Sequence, residues 1–296
     1  MIIDLTKGLG KYEQYEAFKF LGGEVHVKLN MEALAQLTLK DIRNDIIIRV
    51  KLNSSDDIIL LLLVLGTLKK DADKDNIFYN TISVEIPYMA YQQADRDFGI
   101  GESFSLDTIC ALLRSMDVKT YTVFDQHSPI TAALLRAKIV DNSEFIKVVL
   151  NQLRRISPKL EETLCILSPD AGAYKKIGDL IEKIGWKGEV VAANKHRQIN
   201  TGNIDKLDLS IDNFQGKDVL IIDDICMKGG TFIGLGEKLK EKGAGKCFLA
   251  VSHMISKSPN LDLWRYFKKV FTTNSRWDEY SIPDEIAFPL YVHKII

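Results

Sequence analysis

Two adjacent acids, Asp223 and Asp224, close the apolar run Val219-Leu-Ile-Ile222, and a short gap leads to Gly229, Gly230 and Thr231. Paired carboxylates can accept hydrogen bonds from a sugar diol, directly or through a metal. Glycines ahead of a helix let backbone N–H groups close on a phosphate. In this order the two halves suit a phosphorylated ribose, with acids for the hydroxyls and the loop for the phosphate. Each half alone has a plain structural explanation, a solvated strand end or a turn. Their combination in a strand–loop–helix context favours a binding site. No Walker A pattern occurs in the chain.

Four more polar clusters close strand-like runs. They are Ile86–Arg96, Asp125-Gln-His127, Ser168-Pro-Asp170 and Asn194-Lys-His-Arg197. Taken singly, His127 suits a hydrogen-bonded helix start, Asp170 a helix N-cap, and Lys195 and Arg197 surface charge. All four fall on the same edge of the expected sheets as Asp223 and Asp224, where open α/β sheets bind ligands. Further acids, a histidine and separate cations suit a metal and a polyphosphate. Asp71, Asp73 and Asp75 have the opening spacing of a calcium loop, but Asn76 and Ile82 stand where that loop needs Gly and Glu.

The elements that must position these groups alternate along the chain. Strand-like runs cover Ile46–Val50, Thr81–Ile86, Thr120–Phe124, Thr163–Leu167, Glu189–Ala193, Val219–Ile222, Cys247–Val251 and Val270–Thr272. Helix-like runs cover Asp56–Lys70, Ser105–Ser115, Glu144–Arg155, Ala173–Ile184, Phe232–Lys242 and Leu261–Lys268. This alternation predicts an α/β protein with doubly wound parallel sheets. A chain of 296 residues has room for about two such domains. A linker near Lys138–Ser143 divides them into residues 1–140 and 141–296, with the last strand free to return to the first domain.

Bulk composition narrows the function classes. Lys plus Arg is 39 and Asp plus Glu is 40, a net charge of −1 that offers no basic face for nucleic acid. Cys110, Cys165, Cys226 and Cys247 are widely spaced with no CxxC pair, which suits a reducing, cytoplasmic setting rather than a disulfide scaffold or thiolate zinc site. The N-terminus lacks the layout of a signal peptide. The longest apolar run, Ile58–Gly66, is short of the roughly 18 residues of a membrane span and reads as a buried helix. The expected partners are therefore small molecules, with neither nucleic acid nor membrane.

The chain resembles the ribose-phosphate pyrophosphokinases (PRPP synthetases) over most of its length. The segments that carry the resemblance are Phe20–Val25, Ile86–Arg96, Gly101–Leu106, Asp125–His127, Ser168–Gly172, Lys195–Arg197, Asp223–Thr231 and Val251–His253, in the family's order. The resemblance implies two phosphoribosyltransferase-like (Rossmann-like) domains. It also implies Mg²⁺ and transfer of the β,γ-diphosphoryl group of ATP to the anomeric hydroxyl of ribose 5-phosphate. By this likeness Asp223 and Asp224 hold the ribose hydroxyls, while Lys228, Gly229, Gly230 and Thr231 line the 5-phosphate side. His127 and Asp170 help place Mg²⁺, and Lys195 and Arg197 match a mobile catalytic loop. Phe20, Glu24, Arg96 and His127 match the ATP site. Phe20 and Glu24 lie in a loop that reaches a neighbouring subunit, which implies a homo-oligomer.

Departures from the family pattern cluster in the ligand loops. Met227 and Lys228 replace an acid and a threonine. Gln93 and Ala94 replace Arg and Gln, while Gly22 and Asn194 each replace an acid. Simple divergence with ribose 5-phosphate as acceptor explains them. So does ADP-ribose as acceptor, with Lys228 pairing to its second phosphate and Met227 packing on a base. A non-catalytic regulatory homologue would lose cations or metal ligands, yet Lys195, Arg197, His127 and Asp170 are all present. A phosphoribosyltransferase would share the Asp-Asp loop without needing Phe20–Glu24 or Tyr91–Arg96.

Overall fold

The computed structural model describes residues 1–38, 45–74, 77, 79–197, 204–280 and 290–295, with 35–38, 171, 194–197 and 204–207 described by backbone alone. It divides into two compact units, Met1–Asp141 and Asn142–Ile296.

The first unit is built on a five-stranded, all-parallel sheet in the order β1 (Ile2–Asp4), β5 (Ile46–Arg49), β6 (Ile82–Ile86), β7 (Thr120–Phe124), β8 (Lys138–Val140). Strand order follows chain order, so the sheet is wound in one direction. Right-handed crossovers then carry α2 (Ser55–Ala72), α3 (Ser105–Arg114) and α4 (Pro129–Leu135) to one face. The residue pattern agrees. Ile46, Ile48, Ile82, Val84, Ile86, Tyr121 and Val123 are buried in one cluster with α2, α3 and Leu135. The alternate residues Ile47, Arg49, Ser83, Glu85, Thr120 and Thr122 are half-buried. Doubly wound layering therefore does not extend to this unit. Between β1 and β5 lie a three-stranded antiparallel sheet, β2 (Gly10–Lys11), β3 (Tyr15–Lys19) and β4 (Val25–Leu29), and helix α1 (Met31–Thr38), none of which the alternation anticipates. Tyr15, Ala17 and Val27 seat this small sheet on the same core. Helix α2 starts with Ser54 donating from its backbone N and its Oγ to Asp57, at 2.9 and 2.8 Å.

The second unit carries a seven-stranded sheet ordered β11 (Ile204–Leu209), β10 (Val190–Arg197), β9 (Leu164–Ser168), β12 (Asp218–Cys226), β13 (Cys247–Met254), β14 (Phe267–Thr273), β15 (Tyr291–His293). All pairs are parallel except β10–β11. Helix α5 (Ser143–Arg154) and α6 (Leu160–Thr163) lead into β9, and α7 (Ala171–Ile184) carries the chain outward to β10. Helix α8 (Gly230–Glu241) and α9 (Leu263–Tyr266) carry it the other way from β12 to β14. The winding therefore reverses between β9 and β12. Two cores flank this sheet. Val219 and Ile221 pack with α8, while Leu220 and Ile222 pack with α5 and α7. Both faces are covered, so Val219–Ile222 of β12 and Cys247–Val251 of β13 read as unbroken apolar runs.

Two expectations need correction. The helix-like run Leu261–Lys268 is helical only over Leu263–Tyr266, and the buried Phe267, Val270 and Phe271 belong to β14. The last strand, β15, does not return to the first unit; it pairs with β14, with Thr272 opposite Val292.

Candidate functional site

The crevice between β9 and β12 is the point where the second sheet's winding reverses, and its acids converge there. β12 pairs with β9 only as far as Ile221, opposite Leu167. On its other side it pairs with β13 as far as Cys226, opposite Met254. Asp223 and Asp224 thus lie within the strand rather than beyond it, on a stretch that β9 has already left. Adjacent residues of a strand face opposite ways. By that period Asp223 would follow Val219 and Ile221 and Asp224 would follow Leu220 and Ile222, yet the two carboxyls stand close enough to interact directly. Asp224 is 7% exposed and Asp223 is half-buried. The Asp224 amide donates to Asp223 Oδ1 at 2.8 Å.

Asp170 closes β9 and is the N-cap of α7, its Oδ1 accepting from the Ala173 amide at 2.8 Å. The N-cap role expected of it is therefore real, and the site reading adds to that role. Burial, the Asp224 carboxylate and the charge of Asp170 together push the Asp223 carboxyl well above the ordinary aspartate value. Three acids in one crevice favour a bound cation or hydroxyl donors. Among the described residues, no group of three or more His, Cys, Asp or Glu side chains is arranged to hold a metal ion. Hard carboxylate oxygens still suit Mg²⁺, which commonly takes one or two carboxylates and completes its shell with water and phosphate. Lys176 of α7 brings a counter-charge, its Nζ 3.6 Å from Asp224 Oδ2. Sequence reading passed over this lysine. Its signal was a cation beside the inward-facing Ile177 in the second turn of the helix after β9.

The glycine loop expected to hold a phosphate follows β12. Met227 is 48% exposed and Lys228 is exposed. Gly229 is the N-cap of α8 with φ +88°, and a Cβ there would also meet Leu263 at 2.9 Å, so only glycine fits. A Cβ at Gly230 would meet nothing within 4 Å, which leaves the first turn of α8 and Thr231 approachable by an anion.

In the first unit, the loops after β6 and β7 gather the expected nucleotide-side residues. The His127 amide donates to Gln92 Oε1 at 2.9 Å. Gln92 is 1% exposed and its Nε2 has no hydrogen-bond partner among the described residues. Arg96 Nε lies 3.1 Å from the buried Asp95 Oδ1, and the guanidinium stands 5.8 Å from the Phe98 ring centre. Burial works to raise the Asp95 carboxyl, but Ser128, Arg96 and the nearby His127 hold it below its usual value. Tyr91 and Asp125 both take positive φ, 63° and 42°, so each loop stores backbone strain beside these groups. Phe20 and Glu24 bracket the tip of the β3–β4 hairpin, where the Phe20 amide donates to Glu24 O at 2.9 Å. Phe20 is 52% exposed and Leu21 wholly exposed.

Lys195 and Arg197 are placed by backbone only. They lie in β10, past its pairing with β9, in an antiparallel arm with β11 that pairs Lys195 with Leu207 and shifts register between His196 and Arg197. The expected loop position is thus a strand as far as Arg197.

Comparison with known proteins follows the same division. The phosphoribosyl transferase domain family matches residues 136–285. A ribose-phosphate pyrophosphokinase of Pyrococcus furiosus is 30% identical over 241 residues, 80% of this chain and 77% of that one. Another, from Saccharolobus solfataricus, is 30% identical over 172 residues, so that the match spans 57% of this chain and 56% of that relative. The crystal structure of phosphoribosylpyrophosphate synthetase from Mycobacterium smegmatis superposes with a TM-score of 0.72 at 18% identity, covering 95% of this chain and 86% of that one, a likeness of fold.

Proposed function

The chain belongs to the ribose-phosphate pyrophosphokinase family, and from that premise we propose that it is a Mg²⁺-dependent diphosphotransferase. The reaction moves the β,γ-diphosphoryl group of ATP to the anomeric hydroxyl of ribose 5-phosphate, giving PRPP and AMP. The observation that carries this reading is the convergence of Asp170, Asp223 and Asp224 at the switch point of the second sheet, directly ahead of the glycine-opened start of α8.

Asp223 and Asp224 accept from the ribose hydroxyls, and Gly229, Gly230 and Thr231 take the 5-phosphate. The anomeric oxygen attacks the β-phosphorus, its proton is lost to solvent or base, and the bond from that phosphorus to the α-phosphate oxygen breaks. Lys195 and Arg197 offset charge building on the transferred group. Such a reaction needs positioning and cations more than covalent help. Mg²⁺, placed with the help of His127 and Asp170, would screen the phosphate oxygens. Arg96, His127, Phe20 and Glu24 bind ATP. The exposed Phe20 and Leu21 at the hairpin tip support a homo-oligomer, which light scattering can test. Four unpaired, buried cysteines favour a cytoplasmic setting.

A second reading keeps the chemistry and changes the acceptor to ADP-ribose. Exposed Met227 and Lys228, standing immediately before Gly229, support it. Release of AMP from ATP, measured with each acceptor, tests both. Activity with ADP-ribose alone replaces the first reading with the second, and no AMP with either leaves a regulatory homologue. Lys195→Ala is expected to lower turnover by about 10²–10³-fold with acceptor binding retained, the usual cost of a well-aimed charge donor. Unchanged turnover would remove Lys195 from the mechanism.

A further inference from the structure

We propose that Lys176 is a positioning residue that sets how the acceptor's diol is recognised, by holding Asp224 in a fixed orientation beside Asp223. This rests on the reading of the β9–β12 crevice as an acceptor site. A strand's two-residue period would send neighbouring side chains to opposite faces, yet the Asp223 and Asp224 carboxyls stand close enough to interact directly, so side-chain partners and not the backbone alone aim them at one sugar. Helix α7 covers the face of Leu220 and Ile222. From that helix Lys176 reaches Asp224 Oδ2 at 3.6 Å.

Asp224 is nearly buried, and a carboxylate in that position is costly unless it is paired and hydrogen-bonded. The same helix begins at Asp170, whose charge bears on Asp223. α7 therefore carries both an acid and a base to the crevice, six residues apart, and Lys176 supplies the counter-charge next to Asp224. The lysine side chain is 39% exposed, so its stem can be replaced without opening the core.

A carboxylate aimed at one hydroxyl matters only for ligands that carry that hydroxyl. The test compares ribose 5-phosphate with its 2-deoxy and 3-deoxy analogues in wild type, Lys176→Met and Lys176→Arg. Wild type is expected to prefer ribose 5-phosphate over at least one deoxy analogue by about 10²-fold, and Lys176→Met to narrow that gap by about tenfold, through KM rather than kcat. Lys176→Arg is expected to restore the gap, and the KM for ATP to stay unchanged throughout. Equal losses on all three sugars, or an intact gap in Lys176→Met, would overturn the proposal. Calorimetric binding of the same sugars without ATP gives the comparison independently of turnover. A chain that releases no AMP but shows the narrowed gap in binding keeps this inference and loses only the transferase reading. If Lys176→Met lowers the melting temperature, Lys176→Arg decides: a folded arginine variant that has lost the gap overturns the proposal too.

Discussion

The two units use parallel sheets in different ways. The first winds in one direction and buries one face, and the period of its strands shows it: Ile46, Ile48, Ile82, Val84 and Ile86 inward, Ile47, Arg49, Ser83 and Glu85 half-buried. The second reverses direction between β9 and β12 and is packed on both faces. Reversal opens a crevice at the carboxyl ends of two neighbouring strands, and the second unit's acids sit in it. The strand order of the first unit offers no such crevice. Its candidate ligand groups are carried instead by the loops after β6 and β7, held by buried Gln92 and Asp95 and by strained Tyr91 and Asp125. Winding direction thus decides whether a site is built from strand ends or from loops.

The contrast is open to measurement. Its largest consequence is for packing. Ile221→Ala, in a strand covered on both faces, is expected to cost about 2–5 kcal/mol in denaturant unfolding, while Ile47→Ala on the half-covered sheet should cost under about 1 kcal/mol. Similar values would show that the first sheet's second face is as well packed as the other. Next is a charge effect confined to the crevice. Because the folded-state value of Asp223 is raised, its ionisation opposes folding: stability is fully present below the ordinary aspartate value of 3.8 and is lost as pH rises through the raised one. Asp223→Asn should therefore melt higher than wild type near neutral pH, and the gain should fade as pH falls toward 3.8. A gain that persists in acid would point to some other cause. Asp170→Ala removes a helix cap and should cost about 1 kcal/mol besides its effect on activity. The smallest effect belongs to Arg49 and Glu85, 2.6 Å apart on the half-covered face and each about a third exposed. A double-mutant cycle should return a coupling of about 0.2–1 kcal/mol, weakened by salt. A larger coupling would mean that face is less open to water than its exposure suggests.

Much of this contrast was written in residue types. Val219–Ile222 has no polar break, whereas Ile82-Ser-Val-Glu-Ile86 alternates, and the two patterns distinguish a sheet covered twice from one covered once. The acids, the glycine loop and the Asp170 cap were equally legible, because each depends on near neighbours in sequence. Three features were not. β12 runs four residues past the apolar run, through acids with poor strand propensity, because the neighbouring β13 carries the pairing on to Met254. The β2–β4 sheet was missed although Gly22-Gly23 punctuates two strand-like runs. Lys176 could not be tied to Asp224, since the pair is separated by a helix, a hairpin and a strand and is joined only by folding.

The overhang of β12 past β9 also gives Asp223 a second duty. A strand whose neighbour stops early exposes a raw backbone edge, and such edges recruit stray strands unless they are blunted. Here the Asp224 amide is taken up by the carboxylate next to it in the chain. The side chain proposed to accept from a sugar's hydroxyls thus also seals the strand edge beside it. A variant that keeps an oxygen at that position retains the seal, whereas one that shortens the side chain leaves the amide bare, so any engineering of acceptor choice at Asp223 is also an edit to the integrity of the sheet.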